Sequence, residues 1–276
     1  MTSTAKGAVR EASRNRIFHT LARSGFAVNG LLHILIGALA IGVAVRGGRD
    51  AAGSAAAVDA DQTGALRQIA DTPGGLVVLW IAVVCLVALA LWQTAQVVIM
   101  NDRDLMKRWG KRISEGFKGL IYFVLGATAL VFALGGTTSA SDSARSMSTR
   151  LLDTPGGLFL LIAVGLAVFG TGVGFASIGI RRTFRKVVRV PDGPAGPPVM
   201  VLGIVGYVAK GIAFCLAGVL FVIAGLRSDP SDATGLDGAL RALAHVPFGI
   251  VALVAIGVGL IAHGVFLVAR TRLAKL

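Results

Sequence analysis

A pattern of small residues occurs three times along the chain and constrains its fold more than any other feature. Each copy begins with two glycines seven residues apart, followed one heptad later by a third small residue. The nine positions are Gly30, Gly37 and Ala44; Gly119, Gly126 and Ala133; and Gly211, Gly218 and Gly225. Each copy then has a Pro-x-Gly sequence, which begins at Pro73, Pro155 or Pro247. A repeat of this length predicts three copies of one structural unit.

The composition is that of a membrane protein. Of 276 residues, 55% are hydrophobic and only 15% are charged, with a mean hydropathy of +0.77, whereas soluble domains carry about 25% charge. The apolar runs are continuous rather than alternating and approach the roughly 20 residues that a helix needs to cross a bilayer. We predict six spans, at 24–45, 75–98, 117–136, 157–180, 203–226 and 248–269. The expected fold is all-α: a polytopic protein with six transmembrane helices in three parallel two-helix repeats around a pseudo-threefold axis.

The repeats also divide the chain into segments. A basic cytoplasmic N-terminal segment precedes three repeats of two spans each, and a Pro/Gly-rich linker separates the second repeat from the third. The predicted boundaries are 1–19 for the N-terminal segment, 20–100, 112–187 and 203–275 for the repeats, and 188–199 for the linker.

The net charge of +13 is distributed unevenly. The N-terminal segment, alternate connections between spans, Lys210 and the C-terminal tail hold 20 of the 27 basic residues, whereas the other connections hold nine of the 14 acidic ones. This asymmetry places both termini in the cytoplasm by the positive-inside rule. We expect the plasma membrane of a bacterium as the location and anionic lipids of the cytoplasmic face as partners. No nucleic acid is expected, and the sequence identifies no partner protein.

Polar residues precede the second helix of the first two repeats. Asp71-Thr72-Pro73 and Asp153-Thr154-Pro155 suggest a threonine N-cap followed by proline at the first helical position. Upstream, the amphipathic stretches 65–70, 149–152 and 239–244 are predicted to be short interfacial helices. The Ser- and Thr-rich stretch 135–148 is predicted to be a mobile linker.

The opening of the repeat is itself a motif. It reads Gly25-Phe26-Ala27-Val28-Asn29-Gly30 in the first copy and Gly206-Tyr207-Val208-Ala209-Lys210-Gly211 in the third, with a degenerate copy that ends in Lys118-Gly119. Together with the Pro-x-Gly sequences, these motifs resemble a bacterial membrane protein family catalogued as domain of unknown function 1206. The resemblance covers residues 20 to 272. It implies a multi-pass membrane protein and brings no catalytic residues.

Three polar side chains share one repeat position near the cytoplasmic end of the odd-numbered spans. They are Asn29, Lys118 and Lys210. They either extend their head groups to the interface or form a basic ring that binds a lipid phosphate or an anionic solute. The six repeated glycines Gly30, Gly37, Gly119, Gly126, Gly211 and Gly218 are predicted to be helix-packing positions.

Other polar residues are expected inside the membrane. They are His33, Tyr122, His263, Gln93 and Gln96. Ionisable groups in a bilayer suggest a functional site. The two histidines either pack through hydrogen bonds, handle a proton or solute, or ligate a haem.

The sequence contains no Walker motif, no His-Glu-x-x-His, no Cys-x-x-Cys and no nucleophile elbow. We therefore expect no enzymatic activity, no catalytic residue, no cofactor and no metal site. The favoured function is a non-enzymatic lipid-binding or membrane-organising protein. The alternatives are a small-solute or ion permease along the pseudo-threefold axis, gated by His33, His263 and Lys210, and more remotely a bis-histidine haem protein.

Overall fold

The computed structural model describes most of the chain. The described residues are 16–46, 59–99, 105–186, 188, 190–191, 193–194 and 196–273. The predicted N-terminal segment therefore lies outside the described residues up to residue 15, as do positions 189, 192 and 195 of the predicted linker.

Nine α-helices make up almost all of the described ranges. They are α1 (Arg16–Arg46), α2 (Gln62–Ala70), α3 (Gly75–Ile99), α4 (Leu105–Ala133), α5 (Ala140–Leu152), α6 (Gly157–Ile180), α7 (Gly196–Arg227), α8 (Gly235–Ala244) and α9 (Gly249–Leu273), with 3₁₀ turns at Thr183–Lys186 and Pro230–Asp232. Six of them, α1, α3, α4, α6, α7 and α9, are long and apolar enough to cross a membrane. The predicted all-α polytopic fold with six membrane-spanning helices is confirmed. The pseudo-threefold axis remains a prediction.

Several helices extend beyond their predicted limits, and α5 and α7 show why. Helix α5 begins at Ala140 because the Ser139 side chain accepts a hydrogen bond from the amide of Asp142, which caps the helix. The prediction of a mobile linker is therefore wrong from residue 140 onward. Helix α7 begins at Gly196, so Pro197 and Pro198 lie in its first turn, where a helix has no need of the missing N–H groups.

The helices belong to two compact units. The first takes its described residues from 1–29 and 68–137, and it contains the packed pair α3 and α4. The second takes them from 30–67 and 138–276, and in it α7 packs against both α6 and α9. Helix α1 contributes residues to each unit.

Helix backbones touch at glycines in the second unit. A Cβ added to Gly172 on α6 would lie 2.6 Å from the carbonyl oxygen of Gly211 on α7, and a Cβ added to Gly211 would lie 2.6 Å from the carbonyl oxygen of Gly172. Because lipid is as apolar as a leucine side chain, such close contact is a main source of attraction between membrane helices. Four glycine pairs oppose each other in this way: Gly30 with Gly264, Gly37 with Gly257, Gly165 with Gly218, and Gly172 with Gly211.

The repeated glycines of the first unit pack less tightly. A Cβ added to Gly119 on α4 would lie 3.0 Å from the Thr94 hydroxyl on α3, and one added to Gly126 would lie 3.2 Å from a Val87 methyl. These neighbours are side-chain atoms, which shift more easily than a backbone. In every copy the glycine helix packs on the second helix of another copy: α1 on α9, α4 on α3, and α7 on α6.

The Pro-x-Gly sequence joins each interfacial helix to the membrane helix that follows. A Cβ on Gly75, Gly157 or Gly249 would collide with the carbonyl oxygen of the residue six positions earlier, so the turn requires glycine there. The hydroxyls of Thr72 and Thr154 donate to these same carbonyls at 2.6 Å. The predicted threonine N-caps are therefore wrong, because these side chains complete the helix that ends rather than the helix that begins.

The three interfacial segments of the second unit bind one another. Their hydrogen bonds run from the Ala60 amide to Asp237 Oδ1 (2.7 Å), from the Ala140 amide to Thr63 Oγ1 (3.3 Å), and from Ser141 Oγ to the Thr234 carbonyl (3.0 Å). Since each segment is bonded to both others, the segments around α2, α5 and α8 form one polar cluster, which we call the interfacial cluster.

Three carboxylates lie within the interfacial cluster. Asp61 and Asp237 are buried, and Arg241 donates to Asp237 at 2.8 Å. Asp61 accepts from the Thr63 and Gly64 amides, which stabilises the first turn of α2. Burial raises the pKa of Asp59, and the negative charges of Asp237 and Asp61 raise it further.

We predict that Gly172→Ala destabilises the protein by roughly 1–3 kcal/mol, because the new methyl group meets backbone atoms that no rotamer change can move. Gly170 and Gly174 on the same helix have no heavy atom within 4 Å of an added Cβ. Gly170→Ala and Gly174→Ala should be neutral, or stabilising by roughly 0.5–1 kcal/mol through helix propensity. Thermal unfolding of the detergent-purified variants measures the difference, and equal effects of the three substitutions would contradict this packing.

We also predict that Asp59→Asn raises stability at pH 7 by a few tenths of a kcal/mol, since it removes a half-buried charge that is repelled by two others. The stability difference between Asp59→Asn and the wild type should shrink as the pH falls. A carboxyl whose pKa is raised in the folded state takes up its proton there at a higher pH than in the unfolded chain, and this proton uptake stabilises the folded wild type. Unfolding temperatures at pH 7 and pH 5 test this. The control is Asp142→Asn on exposed α5 surface, and an equal or larger gain there would contradict the prediction.

Candidate functional site

Three of the predicted polar residues converge within the second unit. The Lys210 ammonium on α7 lies 3.1 Å from Nε2 of His33 on α1. The His33 ring meets the His263 ring on α9 edge to face, with centroids 5.0 Å apart. The sequence suggested these residues separately, from two different repeat positions and from the last span. The tertiary structure unites them in one site.

Close helix crossings create this arrangement. A Cβ added to Gly206 on α7 would lie 2.5 Å from Cα of His263, so the two backbones are in contact there. Gly30, one turn before His33, and Gly264, next to His263, bring α1 and α9 together. The crossing also places the Tyr207 ring edge to face against His263, with centroids 4.9 Å apart.

Lys210 is a cation inside a membrane-spanning helix. Its Nζ lies 4.9 Å from the ring centroid of Phe175 and 6.0 Å from that of Phe214. Within the described ranges, Lys210 forms no ion pair with a carboxylate. Aromatic faces and an imidazole stabilise a cation only partly. The site therefore carries a positive charge that the described part of the protein does not neutralise.

The hydrogen bond between Lys210 and His33 defines the state of one histidine. When Lys210 carries its proton, the ammonium has only donors, so Nε2 of His33 accepts and that ring is neutral with its proton on Nδ1. The situation of His263 is different. Its side chain is 2% exposed, and its Nδ1 is buried with no hydrogen-bond partner in the described structure. Buried polar atoms in native proteins nearly always have a partner.

An aromatic cluster supports the site from one side. Phe184 stacks on Tyr207 with an interplanar angle of 11°, and Phe266 contacts both rings. The sequence analysis did not select Tyr207 as a site residue. The signal for Tyr207 was present, because it is the aromatic residue of the repeated opening motif. No comparable signal identified Phe175 or Phe184, whose roles depend on where α6 and the following turn pack.

The predicted basic ring of three side chains remains a prediction. In the first unit, Lys118 is about half exposed and pairs with Glu115 at 2.6 Å on its own helix. Asn29 is buried on α1. Lys210 lies in the second unit, where its described contacts place it beside the two histidines.

The remaining polar candidates lie in the first unit. Tyr122 packs against a buried cluster of Phe26, Leu89 and Trp92. Gln93 is buried on α3, where its Cβ faces Gly119 of α4. Gln96 lies on α3, but its side chain is outside the described structure.

The two histidines are poorly arranged for a bis-histidine haem. Imidazoles that ligate one haem iron lie on opposite faces of the macrocycle, whereas the His33 and His263 rings touch each other directly. In the described part of the chain, no group of three His, Cys, Asp or Glu residues is placed to hold a metal ion.

Comparison with known proteins agrees with the repeat architecture. The sequence profile of the family described as Domain of Unknown Function (DUF1206) matches residues 24–99, 116–182 and 205–274, which is most of the chain. The chain belongs to the DUF1206 family. The three matched segments correspond to the three copies of the glycine pattern. This DUF1206 protein is also similar to the uncharacterized protein YxxB of Bacillus subtilis (strain 168), with 27% identity over 256 residues, 90% of this chain and 88% of that relative. No solved structure gives a significant match.

Proposed function

We propose that this multi-pass DUF1206 protein lies in the cytoplasmic membrane of a bacterium, with both termini in the cytoplasm, and that it binds anionic lipid without catalysing a reaction. The observation that carries this proposal is the Lys210 ammonium, which lies in a membrane-spanning helix between two aromatic rings and a neutral histidine, with no carboxylate paired to it among the described residues. A lipid phosphate supplies the missing negative charge and accepts strong, charge-assisted hydrogen bonds.

The depth of the site suits a lipid headgroup. His263 precedes Arg270 by seven residues on α9, which corresponds to about 10 Å along a helix. The site thus lies a short distance inside the basic end of the bundle, where anionic headgroups gather. Lys210, Phe175 and Phe214 are each partly exposed, so the site borders the surface of the protein rather than its deepest core.

We predict that purified wild-type protein retains anionic phospholipid over zwitterionic phospholipid, and that Lys210→Met reduces this enrichment by at least about tenfold. The expected size follows from the loss of one charged hydrogen bond, about 1.5–3 kcal/mol. Mass spectrometry of lipids co-purified in mild detergent provides the measurement. The matched control is Lys118→Met, which removes a lysine from the same repeat position but from an exposed ion pair.

The unfolding temperature of Lys210→Met distinguishes a lost binding site from a lost fold. Replacing an unneutralised buried charge with an apolar side chain of similar length should leave the delipidated protein at least as stable as the wild type. Equal retention of anionic lipid by wild type and Lys210→Met, or loss of it in Lys118→Met alone, would contradict the proposal.

A small-solute or ion permease is the second candidate. Its support is the convergence of the three side chains expected to gate such a path, His33, His263 and Lys210. Flux assays in proteoliposomes separate the two functions. A selective flux that Lys210→Met abolishes, without any lipid enrichment in the purified protein, would favour the permease.

The proposed orientation makes a separate prediction. In a Cys85→Ala/Cys215→Ala background, Ser143→Cys in the interfacial cluster should introduce a thiol that reacts with an impermeant maleimide on intact cells. The thiol of Lys186→Cys, which follows α6 at its basic end, should react only after the cells are permeabilised. Both positions are exposed in the structure, so access depends on the side of the membrane. The opposite labelling pattern would contradict the proposed orientation and place both termini outside the cytoplasm.

A further inference from the structure

His263 has one ring nitrogen, Nδ1, whose hydrogen-bonding capacity is unused in the described structure. Its ring is almost completely buried, and Nδ1 has no partner in the described structure. An apolar side chain of similar size would fill the same volume without this cost, which is the desolvation penalty of a buried polar atom. The ring lies against His33, which itself holds Lys210. The His263 ring is thus connected through His33 to the lysine that the proposed function assigns to an anion.

The groups around His263 are neutral or positive. From the other helices, His33 on α1 and Tyr207 and Lys210 on α7 face it, and Arg270 on its own helix acts on it electrostatically. Their charges oppose a second positive charge on the imidazole when the site is empty. A bound anion reverses this balance, because it neutralises Lys210 and stabilises an imidazolium beside it.

The two histidines are not equivalent in this respect. His33 accepts a hydrogen bond from the Lys210 ammonium through Nε2, so protonation of that nitrogen would break the bond and bring two cations together. His263 has no such bond to lose. Of the two rings, His263 is the one that is able to take up a proton without dismantling the contact that positions the lysine.

We propose that His263 completes the Lys210 site by taking up one proton from solvent when an anionic phosphate group binds, so that binding strengthens as the pH falls. This inference rests on the proposed lipid-binding function and adds its recognition chemistry: a phosphate oxygen held by the Lys210 charge and by a second, inducible positive charge on His263. The linkage of one proton to one anion changes the affinity by at most about tenfold per pH unit.

The experiment titrates detergent-purified protein with short-chain dioctanoyl phosphatidylglycerol by isothermal calorimetry at pH 5.5, 6.5, 7.5 and 8.5. Its phosphodiester keeps one charge across this range, so any pH dependence belongs to the protein. Two buffers of different ionisation enthalpy at each pH give the number of protons taken up. We expect the affinity to rise about 3- to 10-fold from pH 8.5 to its acidic limit, with an uptake that peaks at roughly 0.3–0.5 proton per lipid at intermediate pH.

Two further ligands identify the source of the anion. Dioctanoyl phosphatidylcholine, whose headgroup has no net charge, should bind at least tenfold more weakly than phosphatidylglycerol. Sulfate serves as a free tetrahedral anion of constant charge. If sulfate binds as tightly as the lipid and with the same proton uptake, the site takes a free anion and the lipid assignment fails, while the role of His263 stands.

Matched variants locate the proton. His263→Gln should keep the affinity of pH 8.5 within about threefold and lose the pH dependence, whereas His33→Gln, whose amide oxygen still accepts from Lys210, should keep the pH dependence. Binding with no proton uptake in the wild type, or a pH dependence that survives in His263→Gln, overturns the inference and leaves the proposed function intact. The absence of any phosphatidylglycerol binding overturns both. The proton count on the wild type still tests whether binding takes up a proton at all if a variant does not fold.

Discussion

Contact between helix backbones at glycine is the interaction on which the second unit depends. In a bilayer, burial of apolar side chains supplies little attraction between helices, since lipid offers the same environment. The helices gain contact energy only where they approach closely. At Gly172 and Gly211, and again at Gly30 and Gly264, carbonyl oxygens occupy the volume that a side chain would need. The heptad spacing of these positions keeps the contacts on one face of each helix.

The same crossings create the polar site. Because the backbones of α7 and α9 touch at Gly206, the side chains on either side of that contact are forced together, and these include Tyr207 and His263. Lys210 lies one turn beyond on α7 and reaches His33. The protein thus keeps a lysine and two histidines where an apolar core would be cheaper. That cost is the physical reason to regard the group as a site rather than as packing.

Outside the membrane spans the chain is organised by hydrogen bonds rather than by glycine contacts. Hydrogen bonds of the Asp237, Thr63 and Ser141 side chains tie the interfacial segments of the second unit to each other, although the bonded residues are as many as 177 positions apart. The turn that leads from each interfacial helix into the membrane needs glycine at its end because a carbonyl oxygen fills the space. In the first two copies, the threonine hydroxyl of this turn donates a hydrogen bond to that carbonyl oxygen. Local capping rules predicted instead that the threonine caps the following helix.

The sequence by itself determined the class of the protein, the six spans and the repeat, because hydrophobic runs and fixed spacings are local properties of the chain. It also selected Lys210, His33 and His263, since ionisable residues are rare within apolar helices. Only the tertiary structure decided which of the candidates meet. Lys118 occupies the same repeat position as Lys210, and the sequence offers it a local partner in Glu115, with which it pairs on its own helix. No local feature places Lys210 beside His33 and His263. That placement depends on which helices cross, which is a property of contacts between residues far apart in the chain.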